Sequence, residues 1–282
     1  MALAAHIRRP QDFFIPAVAS SCLPVTGGLA EAKSEGQSFD IISYEAASTQ
    51  AIGDFASPQK ALEFTRGNYG ENDLPSKTFV QSSVKGFKIQ APGDAGAQRT
   101  FIAQELRVDM ESASDRRNPT AFRSLQVVID GLSVDDYGLK VTVDSDLFSQ
   151  NDTKEKLCGA YRQSRQFRKR HASRFYPIEG SSNSGCLGWL FGAKNRIPEA
   201  GGVIVATLIS TVQWEGKPAP GTEIRGNQLI IKDLGSIYFG EIIIEQDFRR
   251  VTLLRFHLGC ANGGEGAVCE IQSDTHGWPP KP

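Results

Sequence analysis

No run of apolar residues in this chain is long enough to cross a membrane as a helix. The longest, VIVATLISTV at residues 203–212, is half of the roughly 20 residues such a helix needs, and Thr207, Ser210 and Thr211 dilute it. Chemical motifs are equally scarce. There is no dinucleotide-binding glycine fingerprint, no nucleophile elbow, no H-E-x-x-H and no calcium loop. GSSNSG at 180–185 has the G-x-x-x-x-G spacing of a phosphate loop. Cys186-Leu187 follow it where Lys and Ser or Thr should reach the phosphates and magnesium. The five cysteines, at 22, 158, 186, 260 and 269, are odd in number and scattered, which excludes a disulfide framework. Cys260 and Cys269 either staple the glycine-rich ANGGEGAV between them or are two small residues at strand ends, the reading favoured here.

The remaining reactive side chains do not assemble into a recognisable centre. Cys260, Cys269, Asp274 and His276 lack the tight pairs of a zinc site. Cys186 in SGCLGW would need His257 or His276 as base and a further group to orient it, and no spacing shows either. Asp135-Asp136, and Glu241 with Glu245, read as turn and strand acids on neighbouring outward positions. His6 and His171 carry no signal beyond packing or exposure. No catalytic residue, metal or cofactor is expected on these grounds.

Charge of one sign is also missing overall. The chain has 31 Lys and Arg against 32 Asp and Glu, a net of −1, so electrostatics do not drive the whole molecule onto nucleic acid or a membrane. The distribution is uneven. YRQSRQFRKRHASRFYP at 161–177 holds six of the bases and no acid, and the other 25 bases face all 32 acids, a net of −7. The chain is a mildly acidic body with one basic island.

What is present is mostly strand texture. FDIISYE (39–45), KALEFTR (60–66), TFVQSSVKGFKIQ (78–90), RTFIAQELRVDME (99–111), FRSLQVVID (122–130), LKVTVD (139–144) and QLIIKD (228–233) are separated by turn residues, as in QAPGDAGAQ and SDRRNPTA. Leu106, Val108 and Met110 alternate with Glu105, Arg107, Asp109 and Glu111, the period of a half-buried strand. VIVATLISTVQW at 203–214 is apolar on both faces and predicts a central strand. SIYFGEIIIEQDFRRVTLLRFHLG at 236–259 predicts a long hairpin turning near Gln246-Asp247, with Ile243 facing Arg250, Ile242 facing Val251, Glu241 facing Thr252, and Glu241 diagonal to Arg250. Gly240 inside it predicts a bulge or a close backbone approach. Ten to twelve strands are expected, with no internal repeat.

Two segments break this texture. Residues 1–37, with Pro10, Pro16, Pro24 and Gly27-Gly28, read as an extended arm with little regular structure. Its start is faintly signal-like, but Asp12 and Pro16 interrupt the apolar stretch. The chain is therefore expected in the cytoplasm or within a protein assembly, with secretion as the alternative. From Asp152, with Glu155 three residues on as in a capping box, Leu157, Ala160, Tyr161, Ser164, Phe167, His171 and Phe175 recur at three- and four-residue steps. That spacing predicts one amphipathic helix with its aromatics docked and Arg162, Arg165 and Lys169 outward, Arg170 and Arg174 on a flank. GSSNSGCLGWLFGAKNRIPEAGG at 180–202 then predicts a long loop whose Leu187, Trp189, Leu190 and Phe191 are too apolar for a free linker.

These features predict an all-β fold, a two-sheet sandwich of jelly-roll type. It would form a single domain over 38–282 with a helix and glycine-rich loop inserted at about 151–202. The function expected is a non-enzymatic assembly or interaction protein whose partners are other protein subunits, identical copies foremost. Arg162, Arg165, Lys169, Arg170, Trp189 and Phe191 would make its contacts. A polyanion on the arginines or a glycan stacked on Trp189, Trp214 or Trp278 are further possible ligands. The alternatives are a carbohydrate-binding β-sandwich, or a hydrolase or lyase using acids the sequence does not single out.

Overall fold

The computed structural model describes residues 7–15, 25–27, 38–46, 56–57, 59–68, 76–92, 98–114, 121–144, 150–172, 204–244, 248–258 and 265–274. Sixteen strands in two antiparallel sheets and two short helices make up most of them, more strands than the sequence texture suggested. Sheet I contains β3 (Ser38–Ala46), β4 (Ala56–Ser57), β5 (Lys60–Asn68), β6 (Ser76–Pro92), β7 (Gln98–Ser114), β8 (Ala121–Val134), β9 (Tyr137–Val143) and β11 (Ile209–Trp214). Its order is β11-β9-β8-β7-β6-β5-β3, with β4 also on β6. Sheet II contains β1 (Ile7–Ile15), β2 (Val25–Gly27), β10 (Ile204–Thr207), β12 (Thr222–Arg225), β13 (Gln228–Ile231), β14 (Gly235–Ile244), β15 (Phe248–Leu258) and β16 (Glu265–Asp274). Its order is β12-β13-β14-β15-β16-β1-β2, with β10 also on β14. Within each sheet most neighbours are successive strands, a meander. The expected jelly-roll connectivity would instead send the chain back and forth between sheets.

Two expectations change in detail and a third holds. Part of the N-terminal arm is strand: β1 pairs with β16 from Ile7 opposite Asp274 to Phe14 opposite Ala267. The stretch 203–214 is not one central strand. It bends at Leu208, so that β10 pairs with β14 in sheet II while β11 lies at the end of sheet I. The hairpin has the register its alternation predicts, Ile243 opposite Arg250, Ile242 opposite Val251 and Glu241 opposite Thr252; its turn at 246–247 lies outside the described residues.

The two sheets meet through one apolar core. Phe87 of sheet I packs against Phe256 of sheet II with ring centroids 6.2 Å apart, and Phe101 against Phe239 at 6.3 Å. Cys269 is not in a disulfide; its thiol is buried in the same layer and donates to the Ser82 carbonyl of sheet I at 3.3 Å. It therefore does not staple a loop to Cys260.

A shared kink lets long strands stay inside. Core-facing residues follow the period of two up to one point and then skip a residue. The pattern is Val84 then Phe87 and Ile89 in β6, Phe101 and Ala103 then Leu106, Val108 and Met110 in β7, and Ile237 and Phe239 then Ile242 and Ile244 in β14. Gly86 in β6, Gly131 in β8 and Gly240 in β14 sit at these points with φ of 59°, 60° and 59°, and Cys269 in β16 has φ 55°. Pairing continues in unchanged register on both sides, as in Lys85 opposite Glu105 and Phe87 opposite Ala103. The neighbouring strands therefore kink together and exchange faces together. Gly240 also receives the segment that crosses between sheets at Leu208. Leu208 N–H donates to its carbonyl at 2.7 Å, and Thr207 Oγ1 bonds the Phe239 and Gly240 carbonyls at 3.2 Å. The close backbone approach expected at Gly240 is this contact.

Candidate functional site

The basic segment is helical but not one helix. α1 (Lys154–Gln163) and α2 (Arg165–Ala172) are separated by Ser164, which is extended at φ −112° and ψ 106°. The cap differs from the expected Asp152 and Glu155 box. Thr153 is the N-cap, its hydroxyl accepting from Lys156 N–H at 3.2 Å, and Asp152 instead holds the Lys156 ammonium at 2.6 Å. Ser164 closes α1 through its own N–H to the Ala160 carbonyl at 3.0 Å and opens α2 by accepting from Phe167 N–H, also at 3.0 Å. A serine hydroxyl that caps the next turn competes with continuation of the first helix, which is why the break falls there. Glu155 in the first turn of α1 and Arg162 in its last both suit the helix dipole.

The docked face is as expected where it is described. Leu157 is fully buried in the core, and Cys158 and Phe167 pack on it half-buried. Arg162, Arg165 and Lys169 are exposed. Three cations thus stand outward on a two-helix platform that the core holds in place. The side chains of Tyr161, Arg170 and His171, and all of Arg174, Phe175, Cys186, Leu187, Trp189, Leu190, Phe191 and Trp278, lie outside the described residues. Trp214, at the open end of sheet I, packs half-buried against the core, which leaves less of its ring for a ligand to stack on.

Sequence reasoning missed a second cluster, on the face of β13–β16 that alternates with the core-facing residues of sheet II. The Arg255 guanidinium forks onto Glu241, with Nε 2.5 Å from Oε2 and Nη2 2.7 Å from Oε1, and lies 4.0 Å from the centre of the Tyr238 ring. Gln228 Nε2 donates to Tyr238 Oη at 2.8 Å and to Ser236 Oγ at 3.1 Å. Thr252 Oγ1 donates to Glu270 Oε2 at 2.6 Å, and Arg250 Nε stands 3.7 Å from the same oxygen. Gln228, Tyr238, Glu241, Thr252, Arg255 and Glu270 are each 5% exposed or less. Two carboxylates, two guanidinium groups and a phenol are the chemistry of a hydrolase or lyase centre. Here, however, donors from adjacent strands occupy both carboxylates, each only 3% exposed, while Gln228 Oε1 and Arg250 Nε are buried with no hydrogen-bond partner among the described residues. The arrangement ties β13, β14, β15 and β16 together.

The acid pairs considered from sequence are structural where described. Asp135 and Asp136 form the two-residue β8–β9 turn with φ of 48° and 69°. Asp135 Oδ1 accepts from Thr100 N–H at 2.8 Å, and Oδ2 lies 3.2 Å from Arg99 Nε. No group of three or more His, Cys, Asp and Glu among the described residues is arranged to hold a metal ion, and none of the described helices is long and apolar enough to cross a membrane.

Fold and site together define an all-β protein of two antiparallel meandering sheets, carrying a basic helical platform and a buried polar cluster. The chain belongs to the family described as Domain of unknown function (DUF8256), whose model matches residues 1–245. No curated protein and no solved structure matches it.

Proposed function

We propose that this protein is a non-enzymatic assembly subunit, which works by presenting surfaces to other protein chains, identical copies foremost. The observation that carries this reading is the outward row of Arg162, Arg165 and Lys169, held on helices whose Leu157 and Phe167 anchor in the core. A cationic face fixed in this way, on a chain whose other residues sum to −7, complements the surface of a second copy. The near-complete burial of Glu241 and Glu270, and the neighbouring donors that already occupy them, favour the same reading over hydrolysis or lyase chemistry. Part of the N-terminal arm is committed to sheet II as β1 and β2, so the proposal rests on the helical platform.

Light scattering across a concentration series tests it. The wild-type chain is expected to show a mass that rises with concentration, and the Arg162→Glu, Arg165→Glu, Lys169→Glu variant to shift toward smaller species at equal concentration. A wild-type chain that stays monomeric at high concentration overturns the proposal.

A further inference from the structure

The end strands β12 and β11, one from each sheet, differ in charge. β12, at one end of sheet II, is four residues long, and its exposed Glu223 and Arg225 form a forked ion pair at 2.6 and 2.8 Å. The hydrogen bonds from Arg225 hold the Glu223 carboxyl below its usual pKa, so the pair stays charged as the medium acidifies. Charges of this kind blunt an edge against pairing with another chain. β11, at the end of sheet I, has the sequence ISTVQW, without charge, proline or glycine. Among the described residues only β9 pairs with it.

The phase of that edge is fixed. Glu215 N–H donates to the Gly138 carbonyl of β9 at 2.9 Å. By antiparallel alternation, the main-chain groups of Thr211 and Gln213 also turn toward β9, while those of Val212 and Trp214 turn toward the open side. The Thr211 and Gln213 side chains are exposed, and those of Val212 and Trp214 lie on the core side.

The geometry points to a two-fold dimer in which β11 pairs antiparallel with β11 of a second copy, Val212 opposite Trp214 and Gln213 opposite Gln213 on the axis. A second copy is the occupant because the strand is its own complement in this register. The outward N–H and C=O groups of Val212 and Trp214 meet each other, and the core-side face gains two pairs of an aromatic with a β-branched side chain. On the outer face the two Gln213 amides meet, and Glu215 faces Thr211, so no like charges oppose. This deepens the assembly reading, and rests on it, by naming an interface separate from the basic helices.

Cysteine substitution reads the register directly. Residues 213 would form a non-hydrogen-bonded pair with Cα atoms about 4.5 Å apart, within the range a disulfide spans. Residues 211 would be four positions, roughly 13 Å, out of register. Under mild oxidation the Gln213→Cys chain should run as a disulfide dimer on a non-reducing gel, and the Thr211→Cys and wild-type chains should not. Gln213→Lys, which places two ammonium groups across the axis, should weaken the dimer about tenfold or more, with the circular dichroism spectrum and thermal midpoint unchanged. A Gln213→Cys chain that crosslinks no more than Thr211→Cys, or a Gln213→Lys chain that dimerises as well as wild type, overturns the edge pairing. Charge reversal at Arg162, Arg165 and Lys169 should leave the Gln213→Cys crosslink intact, so the helix reading and the edge pairing fail separately.

Discussion

Arg255 is among the largest fully buried side chains of the described residues, and its surroundings explain how a charge comes to be there. Its fork satisfies both Glu241 oxygens, and the Tyr238 ring covers the guanidinium plane. A buried pair of this kind costs much to break and little to remove whole, because a single substitution strands one charge away from water. Glu241→Leu and Arg255→Leu should each lower unfolding stability by about 3–5 kcal/mol, and the double variant by less than either single one. Denaturant melts of the four chains close the cycle, and a double variant that loses the sum of the singles would mean that the pair is uncoupled. The sequence reveals half of this contact. Alternation and a two-residue turn place Glu241 opposite Thr252, as found, and Arg250 becomes its diagonal neighbour. Arg255 lies three residues from Thr252, so in a regular strand it would point to the opposite face. The kink between Leu253 and Leu254, both buried in the core, brings Arg255 to the same face as Glu241. Arg250 pairs instead with Glu270. Sheet I shows the regular case: Arg107 and Asp109 share one face of β7 at 2.6 Å, and the bonded Asp109 carboxylate raises the Arg107 pKa above its ordinary value.

At the scale of elements, strands are legible where the period of two holds and are misread where it slips. β7 from Glu105 to Glu111 alternates as its sequence does, with Leu106, Val108 and Met110 inside. The skip in core spacing is present in the sequence at VKGFKI, IDGLSV and YFGEII, where a glycine or its neighbour marks the change. Its meaning shows only once several strands kink at one level. The stretch 203–214 looks central because both faces are apolar. Each half has a buried face in a different sheet, and Leu208 at the bend is buried between them. Gly240 is what admits that bend. Its φ of 59° costs an alanine about 1–2 kcal/mol, and an added Cβ would stand 2.6 Å from Ile209 Cδ1, with crowding worth about 1–3 kcal/mol more. Gly240→Ala should therefore lower the thermal midpoint clearly. Gly216→Ala, where a Cβ meets nothing within 4 Å, should change stability by no more than about 0.5 kcal/mol. Equal effects at the two sites would remove Gly240 from its role at the crossing. The helical break has a local cause of the same kind: the three- and four-residue steps run straight through Ser164, and only the Ser164 hydroxyl bond to Phe167 N–H interrupts them.

For the whole molecule, the all-β class follows from turn spacing and alternation, whereas partnerships between distant strands do not. β1 lies beside β16 across nearly the full length of the chain, and no local pattern at Pro10 or Pro16 announces that. Surface roles are legible in part. The charge count isolates the basic segment, and its helical period separates the buried Leu157 from the exposed Arg162, Arg165 and Lys169. The β11 edge escapes the same reading because an uncharged apolar strand looks interior until its neighbours are known. The two surfaces obey different physics, and salt tells them apart. Attraction between the cationic platform and an acidic surface is screened as the Debye length shrinks from about 10 Å at 0.1 M to about 3 Å at 1 M salt. Main-chain pairing and Val–Trp contacts at β11 carry no net charge and should persist. Scattering measured over that salt range should therefore show larger species resolving to a dimer and stopping there, and the Gln213→Lys chain continuing to monomer. A mass that does not change with salt would remove the electrostatic role of Arg162, Arg165 and Lys169. A wild-type chain that passes directly to monomer would remove the strand-edge dimer.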